Sequence, residues 1–467
     1  MTDQNKLGSE YGYVGEIIDP DWTPNTQPVE PYHPPVPEGM TAMPEPGIYF
    51  GLPEEDYHSV FALSSSGIKK LVASSMEYWA YGRMNPDYEE RQSQFLDYGK
   101  ATHKFVLESE TSYLAYYAIE LDKADHEDVL VSTDEIKNTI RQFTRLAPVP
   151  PVQGGKQALV DQLAELGKKH GQEVDLDGTV PQLKDSIRAF DEEQPITPVS
   201  RVPVEGDDTG LTRTAQKPEW IAQLLSLNPE VQIWDDMVEQ HLAANEGKTM
   251  ITPKQDRQVR IAARMIEQHP DAGPMLKGGY AEVSIFWYCP ITGVPCKARL
   301  DYLKLQAILD LKTFSNSQGM PVNKAIERAI ANYRYNIQHV FYEQAVNAAR
   351  QMMRDQGIDC IGMGHEVEPD QVAGIHAFCL KWAAITDPPK FMFIFQQSGI
   401  APITRVKGMP RQEVFKATHR LIETLKFKWL ECSKTYGTDP WLDIEPMSEI
   451  EDEAIPMWAT EMENFYD

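Results

Sequence analysis

The sequence predicts an α/β fold, and three observations carry that expectation. Three segments between residues 281 and 313 read as successive strands, a helical period of about 25 residues follows at 324–350, and helical segments lie upstream near 64–72 and 92–108. A further strand-like run at 390–397 and a last helix at 410–434 complete the order helix, three strands, long helix, strand.

Residues 20–46 hold nine prolines and little apolar periodicity, which predicts an extended, disordered arm over 1–46 and order beginning near Gly47-Ile48-Tyr49-Phe50. Ser64-Ser65-Ser66 offers an N-cap to a helix through Ile68, Leu71 and Val72. Phe95, Tyr98, Phe105 and Val106 mark the apolar side of the second helix, and the first part of the core is read as 47–108. From 109 to 250 the text reads as a helical insertion. Ser132-Thr133-Asp134-Glu135 opens a helix through Ile136, Ile140 and Phe143, and Gly154-Gly155-Lys156 leads into another through Leu159, Leu163 and Leu166. That layout, near 130–167, faintly resembles small SAP-type DNA-binding modules, with a helical insertion packed on the main domain as the alternative. A Pro-, Gly- and Asp-rich linker is expected at 191–216.

The second part of the core is read as 251–438. Ala281, Val283, Ile285 and Trp287 alternate with Glu282, Ser284, Phe286 and Tyr288, the period of a strand. Pro290–Pro295 turns the chain, Cys296–Leu303 returns, and Gln306–Thr313 makes the third strand. The long helix buries Ile326, Ile330, Tyr333, Ile337 and Phe341. Residues 439–467 read as an acidic tail: a solvated end, a docking peptide for a partner, or a mimic of DNA.

The composition, 42% hydrophobic and 24% charged over 467 residues, is that of a globular chain long enough for two or three domains. No run approaches the roughly 18 apolar residues of a membrane span, and the N-terminal text lacks the basic and apolar regions of a secretory signal. Cys289, Cys296, Cys360, Cys379 and Cys432 form no CxxC pair and are odd in number, which suits a reducing cytosol and gives little support for zinc, an iron–sulfur cluster or a disulfide framework. A net charge of −26 argues against a nucleic-acid partner until its distribution is read. Residues 1–49 hold eight acids against one Lys and 439–467 hold ten acids with no Lys or Arg, whereas 297–354 hold nine Lys or Arg against four acids. The basic stretch is local, and the candidate site lies within it.

Cutting a phosphodiester needs an in-line water, shielding of phosphate charge and a stabilised leaving oxygen, which carboxylate-bound divalent metals can supply. Magnesium keeps several waters, so one or two Asp and a backbone carbonyl suffice. In Asp310-Leu311-Lys312 a strand period of two puts Asp and Lys on one face, while the Leu311 carbonyl stays near the metal edge. Asp301, on the preceding strand, can come alongside, and Lys312 would orient or deprotonate the attacking water. Arg334, Gln338 and Tyr342 are spaced one helical turn apart and would form a row that grips phosphate. D-x-K by itself is common and reads most simply as a surface ion pair; the ordered set around it gives it meaning. His339 and His365 are read as structural.

That ordered set is Gly99-Lys-Ala-Thr-His103, Asp301, Asp310-Leu-Lys312 and Gln338-His-Val-Phe-Tyr342. It resembles the RecB-like branch of the PD-(D/E)XK nucleases. Tyr57-His58 with Ala62-Leu-Ser-Ser-Ser66, Ala281-Glu-Val-Ser284, Arg299-Leu-Asp301 and Tyr333–Tyr342 narrow the resemblance to the exodeoxyribonuclease VIII (RecE-type) family over about 47–108 and 270–435. The resemblance implies a central mixed sheet flanked by helices. It implies His103, Asp301, Asp310 and the Leu311 carbonyl as ligands of Mg2+, with Mn2+ as a substitute, and Glu282 as a builder of the site. It adds Arg299 to the DNA contacts. It further implies 5′→3′ digestion of linear double-stranded DNA to 3′ single-stranded ends for recombination and a ring-like homo-oligomer such as a tetramer. A RecT-type annealing partner and a cytoplasmic setting in a bacterial or phage-infected cell belong to the same implication. The alternatives are a nuclease-fold module that binds DNA or protein without cutting, and an endonuclease on the same scaffold. The text departs from the family at Asp439-Pro440-Trp441-Leu442, where relatives often end in a W-P-G-Y-like sequence, which leaves terminal packing open.

Overall fold

The computed structural model describes residues 29–89, 94–126, 129–143, 155–171, 173–190, 216–399, 401–444, 447 and 449–450. The expected disorder of 1–28 and of 451–467, and the linker at 191–215, lie outside the described residues. The chain folds as two compact units, one made of 1–117 with 254–467 and the other of 118–253. No helix among the described residues is long and apolar enough to cross a membrane.

The strands in chain order are β1 (Gly47–Phe50), β2 (Tyr117–Ile119), β3 (Thr249–Ile251), β4 (Tyr280–Tyr288), β5 (Pro295–Leu303), β6 (Ala307–Phe314), β7 (Ile361–Met363), β8 (Lys390–Gln397) and β9 (Thr404–Gly408). Seven of them form one mixed sheet in the order β7-β1-β4-β5-β6-β8-β9, and β2 pairs with β3. In the large sheet β1 with β7 and β6 with β8 run parallel, and the other pairs are antiparallel. The architecture is therefore the expected mixed α/β one, a central sheet flanked by helices. Beyond the strands expected from the sequence, β1, β7 and β9 are short additions that widen the sheet.

Helices α1 (Ser65–Ala73), α2 (Gln94–His103), α3 (Val322–Asn332), α4 (Tyr335–Gln356) and α5 (Glu413–Tyr436) position the site. The larger apolar layer packs Ile68 and Leu71 of α1, Ile337 and Phe341 of α4 and Trp429 of α5 on Val283, Ile285, Ala298, Leu300 and Ile308. A smaller layer on the other strand face joins Leu309, Leu311 and Ile394 to Leu107 and Ile266. The N-cap of α1 is as expected: Ser64 Oγ accepts the Gly67 N–H at 3.2 Å. Ser64→Ala should lower stability by about 1 kcal/mol, read as a shift in the urea midpoint.

Four sequence expectations are corrected. Ordered chain begins before Gly47: Tyr32 N–H donates to the Gly293 carbonyl at 2.9 Å, and the Tyr32 ring meets Trp429 edge-on. The 324–350 helix is two helices, because Arg334 adopts a left-handed φ of 50° and ends the run that Val322 begins. Such a backbone costs a non-glycine residue about 1–2 kcal/mol. The 92–108 helix changes at His103 into a π-helical turn, Lys104–Glu108, a form that recurs at functional sites. Past 438 the chain still packs: Trp441 is fully buried, stacks on Tyr78 at 4.9 Å, and is followed by Asp443, which accepts the Ser75 N–H.

In the second unit the helices Thr133–Phe143 and Lys156–His170 form where expected. They bury their apolar faces against different partners. Ile136 and Ile140 pack with Trp220 and Leu224, and Leu159 and Leu163 with Leu183 and Ile187. Among the described residues the two helices thus belong to different apolar clusters.

Candidate active site

The simple alternation expected of β4 and β5 breaks at one place. Val283, Ile285 and Trp287 face the larger layer, but Ala281 joins the smaller one; likewise Cys296, Ala298 and Leu300 face the larger layer while Tyr302 joins the smaller. Both strands switch faces between paired residues, Ala281 with Tyr302 on one side and Val283 with Leu300 on the other. The residues at the switch are Glu282, whose φ is +53°, and Asp301. A non-glycine residue held in that region marks stored strain, which collects at functional sites.

Beyond the switch β5 and β6 pair only through Tyr302 with Leu309 and Leu303 with Ile308, and then the strands part. Asp301 fills the fork. Its Oδ2 accepts the Leu311 N–H at 2.8 Å in place of a strand partner. A strand residue points its N–H and C=O to the same edge, so the Leu311 carbonyl opens toward the fork as well. On β6, Asp310 and Lys312 face α4. Asp310 is completely buried; Gln338 of α4 donates its amide to Oδ2, and the Lys312 ammonium pairs with Oδ1.

The fourth side comes from α2. Gly99 sits where an added Cβ would meet Thr313 Oγ1 at 3.1 Å, so the helix runs close over β6. One turn on, His103 Nδ1 is 2.9 Å from the Gly99 carbonyl, and Nε2 lies 3.2 Å from Asp301 Oδ2. Nδ1–H donates to the Gly99 carbonyl, which leaves Nε2 turned toward Asp301, the device by which backbone carbonyls orient metal-binding imidazoles. Glu282 is held by Arg299, whose Nε donates to Oε2 at 2.6 Å.

Crowding shapes the charges. Burial, and then the charge of Asp301, push Glu282 up to about 7 and Asp310 up to about 6. Burial also disfavours ionised Asp301, but Lys312 and His103 outweigh it and hold the carboxyl below its usual range. For His103 burial opposes the imidazolium, yet the hydrogen bond and charge of Asp301 lift it to about 9. Burial likewise opposes the Lys312 charge, and Asp310 with Asp301 overcomes it and holds the ammonium above the ordinary lysine range. A Lys312 ammonium held charged in this way suits the expected role of orienting a water and steadying a phosphate.

The residues fit a hard divalent cation. Asp310 Oδ1 is buried against the Lys312 ammonium, and the carboxylates of Glu282, Asp301 and Asp310 crowd one place. Among the described residues no group of three or more His, Cys, Asp or Glu is arranged to hold a metal ion; magnesium, which retains several waters, can be held by one or two carboxylates and a backbone carbonyl.

Asp301, Asp310, Lys312, His103, Glu282, Arg299 and Gln338 are thus brought together, but the four expected DNA contacts, Arg299, Arg334, Gln338 and Tyr342, do not share one exposed face. Arg299 spends its donors on Glu282, Ser284 Oγ and the Leu52 carbonyl, so it braces the site. Arg334 lies exposed in the break before α4, while Gln338 and Tyr342 are buried. The break at Arg334 removes the continuous helical face on which the expected row depended. Lys69 and Tyr335, which sequence reasoning passed over, stand beside Lys312; neither has a periodicity or spacing that could have singled it out.

The mixed seven-stranded sheet flanked by helices is consistent with a PDDEXK-like core. A family model described as a PDDEXK-like domain of unknown function, DUF3799, matches residues 231–360, the stretch that holds β4, β5, β6 and the Gln338 helix. No curated protein matches the chain.

Proposed function

We propose that the chain is a metal-dependent DNA exonuclease that hydrolyses phosphodiesters at the ends of linear duplexes. The observation that supports this is the meeting of Asp301, Asp310 and Lys312 at the β5–β6 fork, with His103 joining them from a distant part of the sequence. In this reading Asp301, Asp310, the Leu311 carbonyl and His103 Nε2 would hold magnesium or manganese, which would supply an activated water and shield the phosphate. The Gly99 carbonyl keeps His103 turned inward, and Gln338 steadies Asp310. The Lys312 ammonium orients the water and neutralises a phosphate oxygen. Glu282, braced by Arg299, shapes the wall next to Asp301.

Further detail rests on the resemblance to exodeoxyribonuclease VIII: 5′→3′ polarity, 3′ single-stranded product, a ring-like homo-oligomer such as a tetramer, a RecT-type annealing partner and a cytoplasmic setting. Digestion of end-labelled linear duplex with magnesium, run beside closed-circular DNA, tests the core of it. Linear DNA should be degraded, the circle should survive, and chelation should stop the reaction. A cut circle would indicate an endonuclease, and DNA bound but never cut with magnesium or manganese would indicate a binding module.

A further inference from the structure

Beside the fork lies a cluster that the chemistry above uses only in part. Lys312 Nζ is 5.6 Å from the centre of the Tyr335 ring, and Lys69 Nζ, reaching in from α1, is 5.1 Å from the same centre. Lys312 has Asp310 as its ion-pair partner. Lys69 has the ring, and among the described residues no carboxylate forms an ion pair with it. An aromatic face attracts a cation only modestly, so two ammonium groups at one ring leave positive charge to be met by an anion from outside. Burial, and then the Lys312 charge, push the Lys69 ammonium down to about 8 against the opposing charge of Asp310.

The ring also connects outward. Tyr335 is buried, but it stacks on Tyr333 with centroids 5.7 Å apart and planes 25° from parallel, and Tyr333 is 59% exposed. The residue between the two tyrosines is Arg334, in the left-handed backbone that breaks the helix. The break is what turns Tyr333 out of the helix face that its spacing predicted to be buried. An exposed aromatic ring, a second ring behind it and two cations next to the second make up the two parts of a single-strand binding surface, a stacking platform and a phosphate grip.

We propose that Tyr333, Tyr335 and Lys69 form a ledge for an unpaired nucleotide: Tyr333 takes the face of the base, and Lys69 with Lys312 takes a phosphate next to it in the strand being cut. The inference rests on the nuclease reading above and adds a substrate feature to it, an unstacked nucleotide beside the scissile phosphate. Every base has a π-face, so the ledge tolerates any sequence. Lys69 acts as a positioning residue, because its charge completes the field around the phosphate that Lys312 already faces.

The test uses the full chain carrying Asp310→Asn, so that DNA is bound without being cut. The probe is a duplex with one frayed end bearing a fluorescent adenine analogue, and a duplex closed at both ends by hairpins serves as control. Tyr333→Ala should weaken binding of the frayed duplex by about 5- to 150-fold, the range for one base–aromatic stack, and abolish quenching of the analogue. Tyr333→Phe should restore both, and binding of the closed duplex should change little. Lys69→Ala should reduce the slope of log Kd against log salt by about one, and Lys69→Arg should restore it. In the cutting-competent chain Tyr333→Ala should raise KM more than it lowers kcat. If Tyr333→Ala keeps parental affinity and quenching while the parent chain digests linear DNA, the ledge is wrong and the nuclease reading stands. If the parent digests nothing yet Tyr333 still quenches the probe, the nuclease reading fails and the ledge stands as a single-strand site.

Discussion

Asp310→Asn is expected to abolish magnesium-dependent digestion, with kcat falling by about three orders of magnitude or more, while the chain stays folded and binds DNA. The reasoning is one of charge at constant shape. Asn has the volume of Asp, so the fully buried position leaves no cavity, and the Gln338 contact can persist. What disappears is the anionic oxygen at Oδ1, the buried atom that pairs with the Lys312 ammonium. A divalent ion held by few protein ligands loses much of its affinity when one carboxylate becomes an amide. Lys312 is not stranded by the change, because Asp301 also stabilises its ammonium. Lys312→Ala should match the loss of rate, leave metal binding largely in place and lower the salt slope of DNA binding by about one. Rates on linear duplex, a thermal melt and a gel shift measure these outcomes. Either variant digesting DNA as fast as the parent would refute the site.

The largest stability effect is expected far from the fork, at Glu423 and Lys426 on α5. Both are nearly inaccessible to solvent, and Lys426 Nζ donates to Glu423 Oε1 at 2.9 Å and to Gln344 Oε1 at 2.8 Å. Gln344 in turn donates to Glu423 at 2.9 Å. Removing one partner leaves a buried charge uncompensated, so Glu423→Ala should cost about 3–5 kcal/mol. Replacing both, as Glu423→Leu with Lys426→Met, should be near neutral or stabilise by about 1–4 kcal/mol. The pair also predicts a pH dependence. Burial pushes the Glu423 carboxyl up, but the charge and hydrogen bond of Lys426 outweigh it and hold the group below its ordinary range. A carboxyl with a depressed native pKa contributes stability above its unfolded pKa and loses it as pH falls through the native value. Urea titrations at neutral pH and at about pH 4 should therefore show a greater acid loss in the parent than in the double variant. Equal losses would mean that the pair contributes nothing to acid sensitivity.

Much of the fold is legible in the text because period and burial coincide there. Strands β4, β5 and β6 follow from runs whose apolar residues pack on the sheet, and Ser64 reads as a cap because a hydroxyl at that position can accept an orphan N–H. The pairing of Asp310 with Lys312 on one face follows from the two-residue strand period. Elsewhere a local rule gave way to a distant contact. Trp441 reads as part of an acidic tail, yet its ring is buried against Tyr78 and Trp429. Arg299 reads as a free cation in a basic stretch, but Glu282 and a backbone carbonyl take its donors. Tyr333 reads as part of a buried helical stripe, and a single left-handed residue after it turns the ring to solvent.

By itself the sequence determined the element types, the D-x-K strand face and the order in which His103, Asp301, Asp310 and Gln338 occur, since these depend on neighbours a few residues apart. Only the tertiary structure decided that Asp301 fills a fork where two strands part, that a Gly99 carbonyl aims His103, and that Lys69 shares a ring with Lys312. The reason is physical: side-chain periodicity reports which face a residue occupies, whereas the meeting of charges depends on distances between segments that only packing brings together.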